Sequence, residues 1–376
     1  MLLLQPLFPV KKSKSYIMKI IRLALLQAVF TAFVFLLPTL LFAQAEPTPA
    51  VNWLTFDQLK QINTEKPKPI LLFFYKANDD SSKKMLETTF TRKEVCVYLN
   101  AKFHAVKFDI SSKTDITFLD GKVYKKDPGK PYHDLALLLM GQKPMTPTLL
   151  FYDDENKGFS FTGYKGFHDM LCMMVYISEN VQKTTKYETW APAYFRTFPP
   201  DKQVNRIPLA VNWLPLNEAL KRNKEQPKGI FVTFYTKSNA ASSVMLVNAY
   251  SHNKVAEYLN KNFYCVRIDA QTTDTLIWDK PYYNPQAPGK FHDLAKTMMK
   301  DKMQFPSIFY FDSGNRLILT ENLYLSPEAM YLLSNYVVSE SYKTKPFTEF
   351  MNTFKFEFND IVPREHPVSD PLPVKD

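Results

Sequence analysis

The stretch ILLFFYKANDDSSKKM (Ile70–Met85) decides the fold. Its six leading apolar and aromatic residues form a short run that predicts a buried strand over Ile70–Tyr75. Polar residues follow, and the pattern from Ser81 predicts a helix reaching about Asn100. Before this unit, a helix is predicted near Thr55–Asn63. After it come a strand over Ala105–Asp109, an irregular insert, a helix over His133–Met140, strands near Thr148–Asp153 and Ser160–Gly163, and a last helix near Phe167–Val181. Strands and helices interleave, so the class is α/β.

The same unit returns. VNWL at Val51 recurs at Val211, and an offset of 160 carries Tyr98-Leu99-Asn100 onto Tyr258-Leu259-Asn260 and Asp109 onto Asp269. After the extra Pro131 the offset is 159: HDLA at His133 matches His292, and Pro147 matches Pro306. A repeat this long has enough apolar residues to close a core of its own, so it is a domain rather than a solenoid unit. The expected division is a first domain over 50–198, a Pro-rich linker over 199–209, a second domain over 210–358 and an unstructured Pro-rich tail over 359–376.

At the N-terminus, Lys11, Lys12, Lys14, Lys19 and Arg22 precede an apolar run, Leu23–Phe42, that ends in Ala43-Gln44-Ala45. This is the pattern of an export signal cleaved after Ala45, with Met18 as an alternative start. Retained, the same run would be long enough to anchor the chain in a membrane. Residues 1–45 hold five basic and no acidic side chains, so without them the formal charge of +10 falls to +5. That small excess gives little support to a nucleic-acid partner. The expected location is the periplasm or the exterior. Three isolated cysteines, Cys96, Cys172 and Cys265, make no disulfide framework.

The element order, the opening VNW, the run at Ile70, KEVCVYLNAKFHAVKFDI (Lys93–Ile110) and TPTLLFYD (Thr146–Asp153) resemble exported thioredoxin-like domains over nearly all of both copies. The resemblance implies two tandem domains, each a mixed β-sheet flanked by helices. In that family Trp-Cys-x-x-Cys and then Lys-Lys-Met follow the strand. Lys83-Lys84-Met85 matches the end of that pattern and puts Asp79 and Ser82 at the cysteine positions, with Asn239 and Ser242 in the second copy. Thiol–disulfide exchange needs a thiolate at a helix start, where the dipole lowers its pKa, and Asp, Asn and Ser cannot supply one. Asp, Asn and Ser there are also ordinary helix caps, a reading weighed against a metal or catalytic role. The three cysteines read as buried structural thiols, and spacing does not settle whether Cys96 and Cys172 pair.

Two further features remain. The resemblance places Thr146-Pro147 and Phe305-Pro306 at the family's cis-proline, where backbone groups pair with an extended substrate segment; the prolines could equally only shape the chain. The inserts LDGKVYKKDPGKPYHD (Leu119–Asp134) and WDKPYYNPQAPGKFHD (Trp278–Asp293) share Pro-Gly-Lys, an aromatic, His and Asp, and resemble an aromatic-rich insert of Bacteroidetes-type members. His133-Asp134 and His292-Asp293 read either as a ligand or acid–base pair or as a helix start with Asp as its cap. No cofactor and no metal are implied. The expected function is a redox-inactive envelope module that binds extended or unfolded polypeptide or an envelope protein. The alternatives are a thiol–disulfide oxidoreductase and a structural component of an envelope assembly.

Overall fold

The computed structural model describes residues 49–200, 210–284, 290–300 and 303–355. The expected signal 1–45, the linker 199–209 beyond its first two residues and the tail 359–376 lie outside the described residues.

The first half begins with strand β1 (Trp53–Leu54) and helix α1 (Phe56–Glu65). Thr55 caps α1 reciprocally: its hydroxyl accepts the Gln58 N–H, and the Gln58 side chain accepts the Thr55 N–H. Strand β2 (Ile70–Tyr75) is buried from Ile70 to Phe74, which requires cover on both faces and a central place in the sheet. Helix α2 (Asp80–Thr88) and helix α3 (Lys93–Lys102) replace the single helix expected over Ser81–Asn100. The break falls in a run of threonines. The Thr89 hydroxyl donates to the Lys165 carbonyl, and Phe90 turns into the core, 4.9 Å from both Trp53 and Phe73. Burying that ring outweighs one further helical turn.

Strand β3 (His104–Asp109) follows, and then a small hairpin, β4 (Ile116–Thr117) with β5 (Val123–Tyr124), where irregular chain is expected. Helix α4 (Asp134–Met140), strands β6 (Thr148–Tyr152) and β7 (Gly158–Thr162), and helix α5 (Phe167–Ser178) complete the unit. Helix α5 stops short of the expected Val181 because Asn180 is left-handed at φ 59°, a conformation Asn tolerates better than most residues. Helix α6 (Tyr187–Thr197) is an element the sequence reading lacks. Its buried Trp190, Ala193, Tyr194 and Thr197 keep helical spacing, but Pro192 inside it disguises the pattern.

The sheet order is β1-β3-β2-β6-β7; β1, β3 and β2 run parallel, and β6 and β7 are antiparallel to their neighbours. The second half repeats this as helix α7 (Leu216–Glu225), β8 (Ile230–Tyr235), α8 (Ala240–Asn248), α9 (Asn253–Asn262) and β9 (Tyr264–Asp269). Then come the hairpin of β10 (Leu276–Ile277) and β11 (Pro281–Tyr282), α10 (Asp293–Met299), β12 (Ser307–Phe311), β13 (Leu317–Glu321), α11 (Pro327–Val338) and α12 (Phe347–Thr353). Its sheet has the order β13-β12-β8-β9, and a single bridge, Trp213 to Cys265, stands where β1 lies in the first half.

One apolar cluster runs through both halves. It joins Phe73, Leu99, Cys172 and Trp190 to Val244, Leu246, Phe263 and Tyr310. Trp190 meets Tyr324 edge to face at 5.1 Å, and the Arg196 guanidinium donates to the Asn248 side chain at 3.1 Å. No helix among the described residues is long and apolar enough to cross a membrane.

Candidate functional site

Each central strand delivers the chain to a helix start, and there lie the four residues that the resemblance assigns to the family's cysteine positions. Asp79 caps α2: its carboxylate accepts the Ser82 N–H at 2.8 Å and the Ser82 hydroxyl at 2.5 Å. Asn239 caps α8 in the same way, accepting the Ser242 N–H at 2.7 Å and its hydroxyl at 2.6 Å. Each cap satisfies one of the amides that an α-helix leaves open at its start.

The thiols lie elsewhere. Cys96, Cys172 and Cys265 are free and buried. Cys96 sits inside α3, and its Sγ–H donates to the Phe90 carbonyl at 3.1 Å. Burial pushes the Cys96 thiol up, and pushes those of Cys172 and Cys265 up to about 12. At neutral pH such groups are protonated and poor nucleophiles.

The peptide bonds Thr146–Pro147 and Phe305–Pro306 are cis. Pairing of Phe74 with Thr148 brings the loop of Thr146 to the sheet end from which α2 departs. The Pro147 carbonyl accepts the Gly163 N–H at 2.8 Å, which sets Tyr164 beside the loop. Tyr164 reaches α2 through Thr88, oxygen to oxygen 3.1 Å, and lies under the Lys84 ammonium at 4.9 Å. Met145, next to Thr146, is 63% exposed. In the second half, Asn239 and Phe305 line one cavity of about 410 Å³ with Gln271, Gln304, Lys102 and Glu179, the last two from the first half.

The histidines of the inserts are buried. His133 Nδ1 accepts the Leu135 N–H at 3.1 Å and Nε2 lies 3.0 Å from the Thr114 carbonyl. His292 repeats both contacts, with Leu294 and Asp274. An accepting Nδ1 carries no proton, so each ring is neutral and donates from Nε2, and burial lowers both pKa values. This corrects the reading of Asp as the cap. His133 and His292 are the N-caps, while Asp134 and Asp293 open their helices and pair with Lys130 and Lys296 at 2.7 and 3.0 Å. Among the described residues no group of side chains is arranged to hold a metal.

Sequence reasoning misses one residue altogether. Glu179, the C-cap of α5, is buried against the second half. Its carboxylate accepts the Ala241 N–H at 2.7 Å and the Ala240 N–H at 3.3 Å, both at the start of α8, and the Tyr98 hydroxyl at 3.2 Å. Desolvation raises its pKa, while the two amides and the field of Lys102 oppose that rise. The partners are 61 and 62 positions away, so no local spacing could have exposed the contact.

Residues 55–178 match the model of the thioredoxin-like domain family. No curated protein matches the chain. Among solved structures, the chain is similar to a DsbH oxidoreductase at 19% identity, over 33% of this chain and 84% of that one, with a TM-score of 0.24. A thioredoxin-fold protein from Helicobacter pylori is similar at 22% identity, over 32% and 76%, with a TM-score of 0.26. Full-length ERdj5 is similar at 10% identity, over 78% of this chain and 33% of that one, with a TM-score of 0.25. With a family-matched first half and helix-flanked mixed sheets in both halves, the chain is a thioredoxin-like fold protein.

Proposed function

We propose that this chain is a redox-inactive thioredoxin-like protein of the cell envelope that holds extended polypeptide on the open face of its first half. The observation that carries the reading is the pair of helix starts. Where a thiolate would attack a disulfide, Asp79–Ser82 and Asn239–Ser242 are engaged in capping hydrogen bonds, and the three thiols are buried with raised pKa values. Polypeptide binding is supported by exposed apolar surface beside Thr146. Met145 and Tyr164 flank the Pro147 loop next to α2, a setting suited to an extended segment held by main-chain pairing and side-chain contact. Export is supported by the basic start, the apolar run and Ala43-Gln44-Ala45. N-terminal sequencing of the protein recovered from the envelope should then begin at Glu46.

The test uses a labelled, cysteine-free polypeptide that cannot fold. Wild type should bind it, and Met145→Asp with Tyr164→Asp should bind at least about tenfold more weakly, since two apolar contacts are each worth about 1–2 kcal/mol. Equal binding by both proteins removes this face from the account. Insulin reduction with dithiothreitol should stay at background, and activity that disappears in a triple Cys→Ser variant would overturn the redox-inactive reading.

A further inference from the structure

The first amides of α2 and α8 face opposite circumstances although the two helices occupy equivalent places. In the first half, the Asp80 and Ser81 N–H groups have no acceptor among the described residues, and the start carries two carboxylates of its own, Asp79 and Asp80. In the second half the equivalent residues are Asn239, Ala240 and Ala241, and the start has no acid of its own. Free N–H groups and the aligned peptide dipoles make such a start electropositive, so it favours a negative charge. Glu179 provides that charge from the other half.

Three features show that the contact is built rather than incidental. Glu179 is only 8% exposed, and no ion pair among the described residues reaches it, so its charge is stabilised by hydrogen bonds, the helix end and the more distant field of Lys102. The Tyr98 hydroxyl, itself 2.9 Å from the Ser178 hydroxyl, fixes the carboxylate from the first-half side. The matching position after α11 is Ser339, which precedes the left-handed Glu340 as Glu179 precedes the left-handed Asn180. The acid therefore stands only after the helix that faces another helix start. A buried carboxylate without such donors would be strongly unfavourable.

We infer that the start of α8 is a carboxylate-receiving site, filled in this chain by Glu179, and that its filling clamps the halves together and withdraws the second half's helix start from outside ligands. The consequence for ligands rests on the proposed function, whereas the carboxylate site does not. Residue-level amide hydrogen exchange, read on the whole chain without polypeptide, separates the two.

In wild type, Ala240 and Ala241 should exchange slowly and Asp80 and Ser81 fast, the latter pair serving as the internal reference. Glu179→Ala should speed exchange at Ala240 and Ala241 at least about tenfold, because both amides lose their acceptor. Acetate replaces the atoms that this substitution deletes. Tens of millimolar acetate should restore most of the protection, while chloride at equal ionic strength should not. Glu179→Gln keeps the shape, lacks the charge and turns one N–H donor toward the amides; it should also speed exchange, and it serves if the alanine variant does not fold. Unchanged exchange in either folded variant, or equal effects of acetate and chloride, would overturn the inference.

Discussion

Helices α2 and α8 occupy the same place in their halves and have opposite surroundings. In α2, DSSKKMLET, only Ser82 and Met85 are buried. In α8, AASSVMLVN, seven of nine residues are buried, because α6 and the end of α5 pack over it. Lys84 in one is Val244 in the other, and Glu87 is Val247. A duplicated unit thus has one helix face left to water and one turned into a joint. The difference teaches that equivalent helices of a duplicated unit can meet two settings, one open to water and one where the chain packs against itself.

Exchanging side chains between the helices should break this comparison most sharply. Val244→Lys places an ammonium in the joint and should cost about 3–5 kcal/mol, as expected for a buried charge without a partner. The reciprocal Lys84→Val should change stability by at most about 1 kcal/mol, because Lys84 is exposed and loses only its contact with the Tyr164 ring. Urea unfolding of both variants checks the asymmetry, and equal costs would refute it. Trp190→Ala removes the largest side chain that α6 brings to the joint and should cost about 3–5 kcal/mol in the same assay.

Where the halves are alike, effects should match. Asp79→Ala and Asn239→Ala each delete a cap and should cost about 0.5–2 kcal/mol, with unfolding midpoints shifted to a similar extent. The smallest effect concerns pH. His133 and His292 have folded pKa values below the usual 6.5, so the folded state favours the neutral ring. Their contribution is fully present above about pH 6.5 and is lost as pH falls through the lowered folded values. Stability measured between pH 8 and pH 5 should therefore fall more steeply in wild type than in the double variant His133→Asn, His292→Asn. Parallel slopes would show that the rings do not titrate in this way.

Much of the fold was legible because local patterns decide it. The run ILLFFY is a central strand over Ile70–Tyr75, and the α/β class follows from the alternation of elements. The helix break at Thr89–Arg92 was hidden because Phe90 is apolar and suits a helical pattern, yet its ring belongs against Trp53 and Phe73. Helix α6 was hidden by Pro192, although Trp190, Ala193, Tyr194 and Thr197 already had helical spacing. The roles of His133 and His292 were obscured by their neighbours, since an Asp beside a helix start suggests a cap and a His does not.

By itself the sequence determined the duplication, the α/β alternation and the lack of sulfur at both helix starts, because these depend on residue identity and short-range periodicity. Only the tertiary structure decided that one helix start lies in a joint and that the Glu179 carboxyl group accepts its first amides. That contact joins residues about sixty positions apart, and it depends on how two packed surfaces meet, which periodicity within either half does not encode.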